Sequence, residues 1–352
     1  MYYVNENIKE LYRVKSTEDR SHVLRLDMNE NPTGLPVDFV KRVKEKITPE
    51  LIATYPMKEY LIDLIAKHNN INHENITVTA GSEEAMRLIF QCFGQGGRSL
   101  LTVLPTFEMY DVYSKMFGMK HDVVEYNANF TVSTEAIIDR INENTGIVIL
   151  LNPNSPIGTT YTNEEFERIV RKAGEVNAIV VIDEAYHYFY ENTQMNLIKK
   201  YNNVVVLRTF SKLCSLAGLR VGYAAADKEL ISYIEKAQST FNVCNISILF
   251  ATEILKDESL MKELIEIERK GHEWIEKQLI DKGYKVISAK GNYVLFYPNI
   301  PSNQLVEKLK QNKVWVRDYG KGVLKGWVRI STGDIRAMKA AWDQIVFNDK
   351  ES

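Results

Sequence analysis

Apolar positions along the chain fall into two rhythms. Short runs of β-branched and other apolar residues recur, each closing on a polar turn, and most are followed by a stretch with helical spacing. Ile76 to Thr79, Ser99 to Val103, Gly146 to Leu151, Ile179 to Ile182 and Val204 to Leu207 read as strands. Helices are predicted over 36–46, 57–68 and 85–93, and from Asn163 onward. Strands alternating with helices predict a mainly parallel sheet with crossover connections. After Tyr223 helical patterns dominate through Leu255, and a long charged helix follows over 260–282. Then comes a smaller α/β set: strands at 285–287, 293–297, 314–317 and 328–331, with a helix over 305–311. Residues 1–25 are polar and charged and read as a helix or arm. The expected division is an N-terminal arm over 1–35 joining the small domain, a large domain over 36–255 and a small domain over 256–352.

Composition narrows the class without naming a chemistry. The chain has 352 residues, is 45% hydrophobic and carries a formal net charge of −2. That is enough material for a large core plus a second unit. A near-neutral balance gives no reason to expect nucleic acid or an anionic membrane as partner. Cys92, Cys214 and Cys244 form no C-x-x-C pair and no metal-ligand spacing, so no metal and a reduced, cytoplasmic protein are expected. No basic-then-apolar leader opens the sequence, and no apolar run approaches the ~18 residues of a membrane span.

Chemistry enters at two strand ends. The apolar run Val204 to Leu207 leads through Thr209-Phe210-Ser211 to Lys212, and small residues Ala217-Gly218 follow before Arg220. Ammonium groups are costly to bury, so a lysine there is either part of a wet loop or held for a reason. In a dry cleft such an amine loses its proton more readily and becomes the nucleophile of a Schiff base. Upstream, the strand at Ile179 delivers Asp183, followed by Glu184-Ala185-Tyr186. A lysine for an aldehyde and a carboxylate for a pyridine nitrogen are the two groups that pyridoxal phosphate needs. The strand at Ile76 runs into Ala80-Gly81-Ser82-Glu83 and a helix, where free N–H groups and the helix dipole favour a phosphate. Ser82 at that place also suits an ordinary helix cap.

V-I-D-E-A-Y-x-x-F together with T-F-S-K-x-x-x-L-A-G-L-R-V-G resembles the fold-type I pyridoxal-phosphate aminotransferases, and within them the histidinol-phosphate aminotransferase branch. The resemblance runs from about Leu26 to Gly333. It implies an α/β fold: a large domain with a mainly parallel seven-stranded sheet between helices, plus a smaller α/β C-terminal domain. It implies Lys212 as the cofactor lysine and as the base acting between Cα and the cofactor, Asp183 at the ring nitrogen, and Tyr186 donating to the 3′-oxygen. Thr209, Gly81, Ser82, Glu83, Ser211 and Arg220 fall at the cofactor, the last five holding its phosphate. Tyr55 in Thr54-Tyr55-Pro56 fits a tyrosine that reaches the partner's cofactor across a homodimer interface. Phe107 takes the place of an aromatic that stacks on the pyridine, more often a tyrosine.

The segment Asn152 to Gly158 departs from the family's N-P-N-N-P-T-G, with serine where an asparagine bonds the 3′-oxygen. Either the Ser155 hydroxyl substitutes, or Asn154 moves in, or the contact is weaker. Arg329 matches the arginine that clamps the substrate α-carboxylate, a role for which a guanidinium fork suits. Arg317 matches the position that meets a substrate phosphate, although Asp318 beside it could neutralise it. The N-E-N-P-x-G turn borders the substrate mouth, with Asn31 as its candidate. The expected reaction moves an amino group from an amino acid, glutamate, to a small phosphorylated carbonyl acceptor. A phospho-amino acid decarboxylase on the same frame is the alternative.

Overall fold

The computed structural model describes residues 2–13 and 18–350. Positions 1 and 14–17 of the expected N-terminal arm, and 351–352 of the expected small domain, lie outside the described residues. Thirteen strands are found among the rest: β1 (Leu24–Arg25), β2 (Ile76–Thr79), β3 (Ser99–Leu104), β4 (Lys120–Glu125), β5 (Thr145–Leu151), β6 (Ile179–Asp183), β7 (Val204–Thr209), β8 (Gly222–Ala226), β9 (Lys285–Ser288), β10 (Tyr293–Tyr297), β11 (Val314–Trp315), β12 (Arg317–Asp318) and β13 (Val328–Ser331). Seven of them form one sheet in the order β2-β8-β7-β6-β5-β3-β4. The β4-β3-β5-β6-β7 run is parallel, and β8 is antiparallel to both its neighbours. The expected mainly parallel seven-stranded sheet is present. Every residue of β5, β7 and β8 is buried, as apolar runs covered on both faces require.

The reversal at β8 shapes the lysine loop. Thr209 pairs with Gly222 across β7 and β8, so the connection Phe210–Val221 leaves the sheet and returns to the same place. Lys212 and Arg220 therefore ride on one closed loop. The helix Gly81–Phe93 packs on β7 and β8 and starts directly beside that return. Burying its apolar face against the sheet fixes where its N-terminus points.

Strands β9, β10, β13 and β12 make a second, four-stranded antiparallel sheet. The segment read as a single strand over 314–317 splits. Val314–Trp315 pairs in parallel with β1, whereas Arg317–Asp318 joins the edge of the second sheet. Two apolar clusters result, one around the large sheet and one containing Leu26, Phe296, Leu305, Ile330 and Ile345. The helix Glu258–Asp281 serves both: Leu260, Met261 and Leu264 enter the first, Ile275 and Leu279 the second. The helix Ile335–Asn348, not among the elements expected, closes the second cluster through Met338, Ala341 and Ile345. No helix among the described residues is long and apolar enough to cross a membrane.

Candidate active site

The carboxyl ends of the neighbouring parallel strands β6 and β7 bring Asp183 and Lys212 to the side of the sheet where open α/β sheets receive ligands. Asp183 sits at the end of β6, buried. Its Oδ1 accepts the Ala185 N–H at 3.0 Å and its Oδ2 accepts the Tyr110 hydroxyl at 3.0 Å. Loss of water pushes its pKa up to about 6, against the opposing pull of those two donors and of the Lys212 charge. Lys212 is half-buried; its Nζ donates to the Met28 carbonyl at 3.0 Å and lies 5.7 Å from the Tyr186 ring centroid. Tyr186 is buried, edge-on to Tyr293 with centroids 5.4 Å apart.

The turn after β2 makes a second group. Gly81 has φ +77°, and a Cβ there would stand 2.5 Å from Arg220 Nη2. Arg220 Nη1 donates to Ser211 Oγ at 3.2 Å, and the Thr209 hydroxyl donates to the same oxygen at 2.9 Å. Gly222 admits no side chain either, since a Cβ would lie 2.7 Å from the Ser82 nitrogen. So Gly81, Ser82, Ser211 and Arg220 surround one point at a helix N-terminus, with a guanidinium on one side. That is an anion cradle. The Glu83 side chain turns aside, with Oε2 3.9 Å from Arg220 and Oε1 accepting from Tyr113 at 3.4 Å. Only its backbone N–H can serve an anion.

The third group comes from the smaller sheet. Arg329 is 8% exposed, and none of the ion pairs among the described residues includes it. Its Nη1 donates to the Tyr319 hydroxyl at 3.1 Å and to Ser155 Oγ at 3.4 Å, its Nη2 donates to the Asp27 carbonyl, and its Nε finds no partner. A buried cation with an idle N–H is costly unless an anion comes to it. Arg317 stands directly opposite Arg329 across the β12–β13 pair, so both side chains leave the same face. Arg317 pairs with Glu108 at 2.8 Å and not with its neighbour Asp318.

Not every expected residue joins these groups. Asn154 is fully buried, with Oδ1 accepting from Thr106 at 2.7 Å and Nδ2 donating to the Pro105 carbonyl at 3.0 Å; its amide is spent on the loop itself. Of the two loop residues, Ser155 is the one that reaches Arg329. Asn31 donates to Ser215 at 2.8 Å and lines a cleft with Arg20, Arg25 and Glu30 and with Ser215, Ala217 and Gly218 of the lysine loop. The asparagine at the site is Asn29, whose Nδ2 donates to the Tyr186 oxygen at 2.9 Å. Its sequence signal was the same N-E-N-P turn, one asparagine earlier. Phe107 stands 42% exposed at the cleft, edge-on to Tyr110 at 5.6 Å. Tyr55 is 75% exposed and stacks on Phe241 at 4.2 Å. Tyr110, Tyr293 and Tyr319 were not foreseen, being single aromatics inside ordinary apolar patterns.

A lysine amine, a buried carboxylate at a strand end and a glycine-walled anion cradle are together what pyridoxal phosphate needs, and these residues fit it. Comparison with known proteins agrees. The profile of the family described as aminotransferase class I and II matches residues 21–345. A histidinol-phosphate aminotransferase from Thermoanaerobacter pseudethanolicus is 33% identical over 95% of each chain, and one from Clostridium novyi is 33% identical over 92% of this chain and 90% of its own. Among solved structures, histidinol-phosphate aminotransferase from Sinorhizobium meliloti in complex with pyridoxal-5′-phosphate has the same fold. It superposes with a TM-score of 0.87 over 99% of this chain and 98% of its own, at 21% identity. These relatives do not favour the decarboxylase alternative. The chain belongs to the class I and II aminotransferase family and is a pyridoxal-phosphate-dependent aminotransferase, similar to the histidinol-phosphate aminotransferase branch.

Proposed function

We propose that the enzyme moves an amino group from glutamate to a small carbonyl compound bearing a phosphate ester. The observation that carries this is the face shared by Arg317 and Arg329, two cations opposite one another across one pair of strands. The buried Arg329 takes the α-carboxylate of the amino donor, and the exposed Arg317 takes the phosphate of the acceptor. A guanidinium opposing each anion gives charge-assisted bonds of about 1.5–3 kcal/mol apiece. The names of the two curated relatives, which carry a phosphate ester, support the same substrate class.

The bound cofactor supplies an electron sink beside the substrate Cα. Lys212 Nζ would hold the cofactor's aldehyde and would serve as the base that moves the proton at the substrate Cα. Asp183 would keep the ring nitrogen protonated. Tyr186, with Ser155 near it, would bond the cofactor's 3′-oxygen, and Phe107 would pack against its ring. The N–H groups of Gly81, Ser82 and Glu83, the Ser211 hydroxyl and Arg220 would bind the phosphate, with Thr209 orienting Ser211.

Tyr55 and Phe241, exposed and stacked, belong to a surface that a second copy of the chain covers, so that Tyr55 serves the partner's cofactor in a twofold dimer. A working division follows, with 36–255 holding the cofactor and 256–352, joined by 1–35, holding substrate through Arg317 and Arg329. Three free cysteines fit a reducing compartment such as the cytoplasm. A panel of amino donors and paired phosphorylated and unphosphorylated carbonyl acceptors, read by the absorbance of the bound cofactor, tests the substrate class. Preference for the phosphorylated members is expected; equal use of both would overturn it.

A further inference from the structure

Asn29 is held in a way that an ordinary turn residue is not. It is 2% exposed and has φ +55°, a left-handed conformation that asparagine tolerates better than most residues. Its backbone N–H donates to Ser331 Oγ at 2.9 Å, and the Ser331 hydroxyl donates to Asn29 Oδ1 at 3.1 Å. Asn292 Nδ2 donates to the Asn29 carbonyl at 3.1 Å. With Oδ1 accepting from the Ser331 hydroxyl, the other end of the side-chain amide is turned to the opposite wall. The N–H₂ end therefore faces Tyr186. It donates to the phenolic oxygen at 2.9 Å and to Ser155 Oγ at 3.4 Å.

The consequence lies in what is left to Tyr186. A phenol offers one proton and its oxygen lone pairs. Asn29 occupies the lone-pair side, and no bond donated by Tyr186 is found among the described residues. The proton is thus left pointing elsewhere, and a donor on the oxygen polarises it. Ser155, one atom shorter than an asparagine, stops at the same Asn29 amide. The amide group that a longer side chain at 155 could carry into this space is delivered from the opposite wall.

We infer that Asn29 is a positioning residue for Tyr186: its amide orients and polarises the phenol as a donor to the cofactor 3′-oxygen, the part an asparagine at position 155 would otherwise support. This rests on the cofactor reading above. The anion of the 3′-oxygen is the form such donors favour, so weakening them makes the bound cofactor keep its proton to higher pH.

Three variants test it in the holoenzyme, with the pH midpoint of the visible absorbance change as readout. Asn29→Gly keeps the left-handed turn free of strain and removes the amide; Asn29→Asp keeps the shape and loses the N–H donor. Both are expected to raise the midpoint by about half a unit or more, roughly a threefold change in proton affinity. Adding Ser155→Asn to Asn29→Gly is expected to bring the midpoint back toward wild type. A midpoint unmoved in Asn29→Gly, or a double variant no closer to wild type than Asn29→Gly alone, overturns the inference. Melting temperature, followed in parallel, separates loss of fold from loss of the donor: if Asn29→Gly does not fold, Asn29→Asp alone decides. Wild-type protein without cofactor absorbance would instead overturn the cofactor reading itself.

Discussion

The Tyr110 hydroxyl donates to Asp183 Oδ2 at 3.0 Å, from inside the helix Met109–Met116, and no other side chain among the described residues hydrogen-bonds that carboxylate. Phe107 lacks a hydroxyl, but its edge-on neighbour Tyr110 carries one, and it is turned inward to the carboxylate.

Burial drives the Asp183 carboxyl up, to about 6 even with the Tyr110 bond, the Ala185 N–H and the Lys212 charge resisting. Tyr110→Phe should therefore raise it further and leave less of the carboxylate ionised near neutrality. A hydrogen bond to a charged group, about 1.5–3 kcal/mol, corresponds to a shift of about one unit or more. The expected result is a loss of about 3–10-fold in kcat at pH 6.5 that narrows above pH 8. A pH–kcat profile overlapping wild type would count against the role.

Glu268 makes a separate pH prediction. It is fully buried in the helix shared by the two apolar clusters, with the Thr332 hydroxyl donating to it, and burial pushes its carboxyl up to about 7. The folded-state value lies above that of the unfolded chain, so the fold favours the protonated form. Its stabilising share is complete below about pH 4.5 and is lost as pH rises through about 7. Glu268→Gln keeps an acceptor for Thr332 without the charge. Chemical denaturation should find the variant on the order of 2–3 kcal/mol more stable at pH 8 and close to wild type at pH 5. Equal stability at pH 8 contradicts this.

Gly222→Ala tests the cradle through packing. A Cβ there would meet the Arg208 carbonyl and the Ser82 nitrogen, both at 2.7 Å, and both belong to backbone that cannot swing away. The start of the helix Gly81–Phe93 must shift instead. Overpacking of this kind costs about 1–3 kcal/mol. Cofactor affinity should fall at least tenfold by titration, whereas Gly218→Ala, which meets nothing within 4 Å, should leave it unchanged.

How legible this was varied by element. The strands β6 and β7 were readable because buried parallel strands are uninterrupted apolar runs, and their polar successors Asp183 and Lys212 stood out against them. β8 was harder: Gly222-Tyr223-Ala224-Ala225-Ala226 has small residues where strands favour β-branched ones, and at Gly222 the Arg208 carbonyl and the start of the helix Gly81–Phe93 leave no room for a Cβ. β4 lies at the sheet edge, with Lys120 and Glu125 exposed, and its mixed pattern hides it. Asn29 and Asn31 share one motif, and only the three-dimensional contacts with Ser331 and Ser215 separate them. Arg317 and Arg329 were readable singly; that they face each other depends on a register no sequence pattern specifies.

That register sets up the substrate test. Arg317 is paired with Glu108 at the surface, a contact of the kind worth only about 0–1 kcal/mol, so a substrate phosphate can displace it. The phosphorylated acceptor should be preferred over its dephosphorylated analogue by at least about tenfold in kcat/KM, since tenfold needs only about 1.4 kcal/mol. Arg317→Ala should erase the preference and leave the glutamate half-reaction within about twofold of wild type, because Arg329 is untouched. Loss of both half-reactions together would contradict the separate roles.

The role proposed for Lys212, on the loop between β7 and β8, is to hold the cofactor. Borohydride reduction of the holoenzyme followed by peptide mapping tests it most directly. One peptide carrying the cofactor's added mass is expected, with the modification on Lys212, and no such peptide from Lys212→Ala. A modification on any other lysine, or an unmodified wild-type protein, would contradict it.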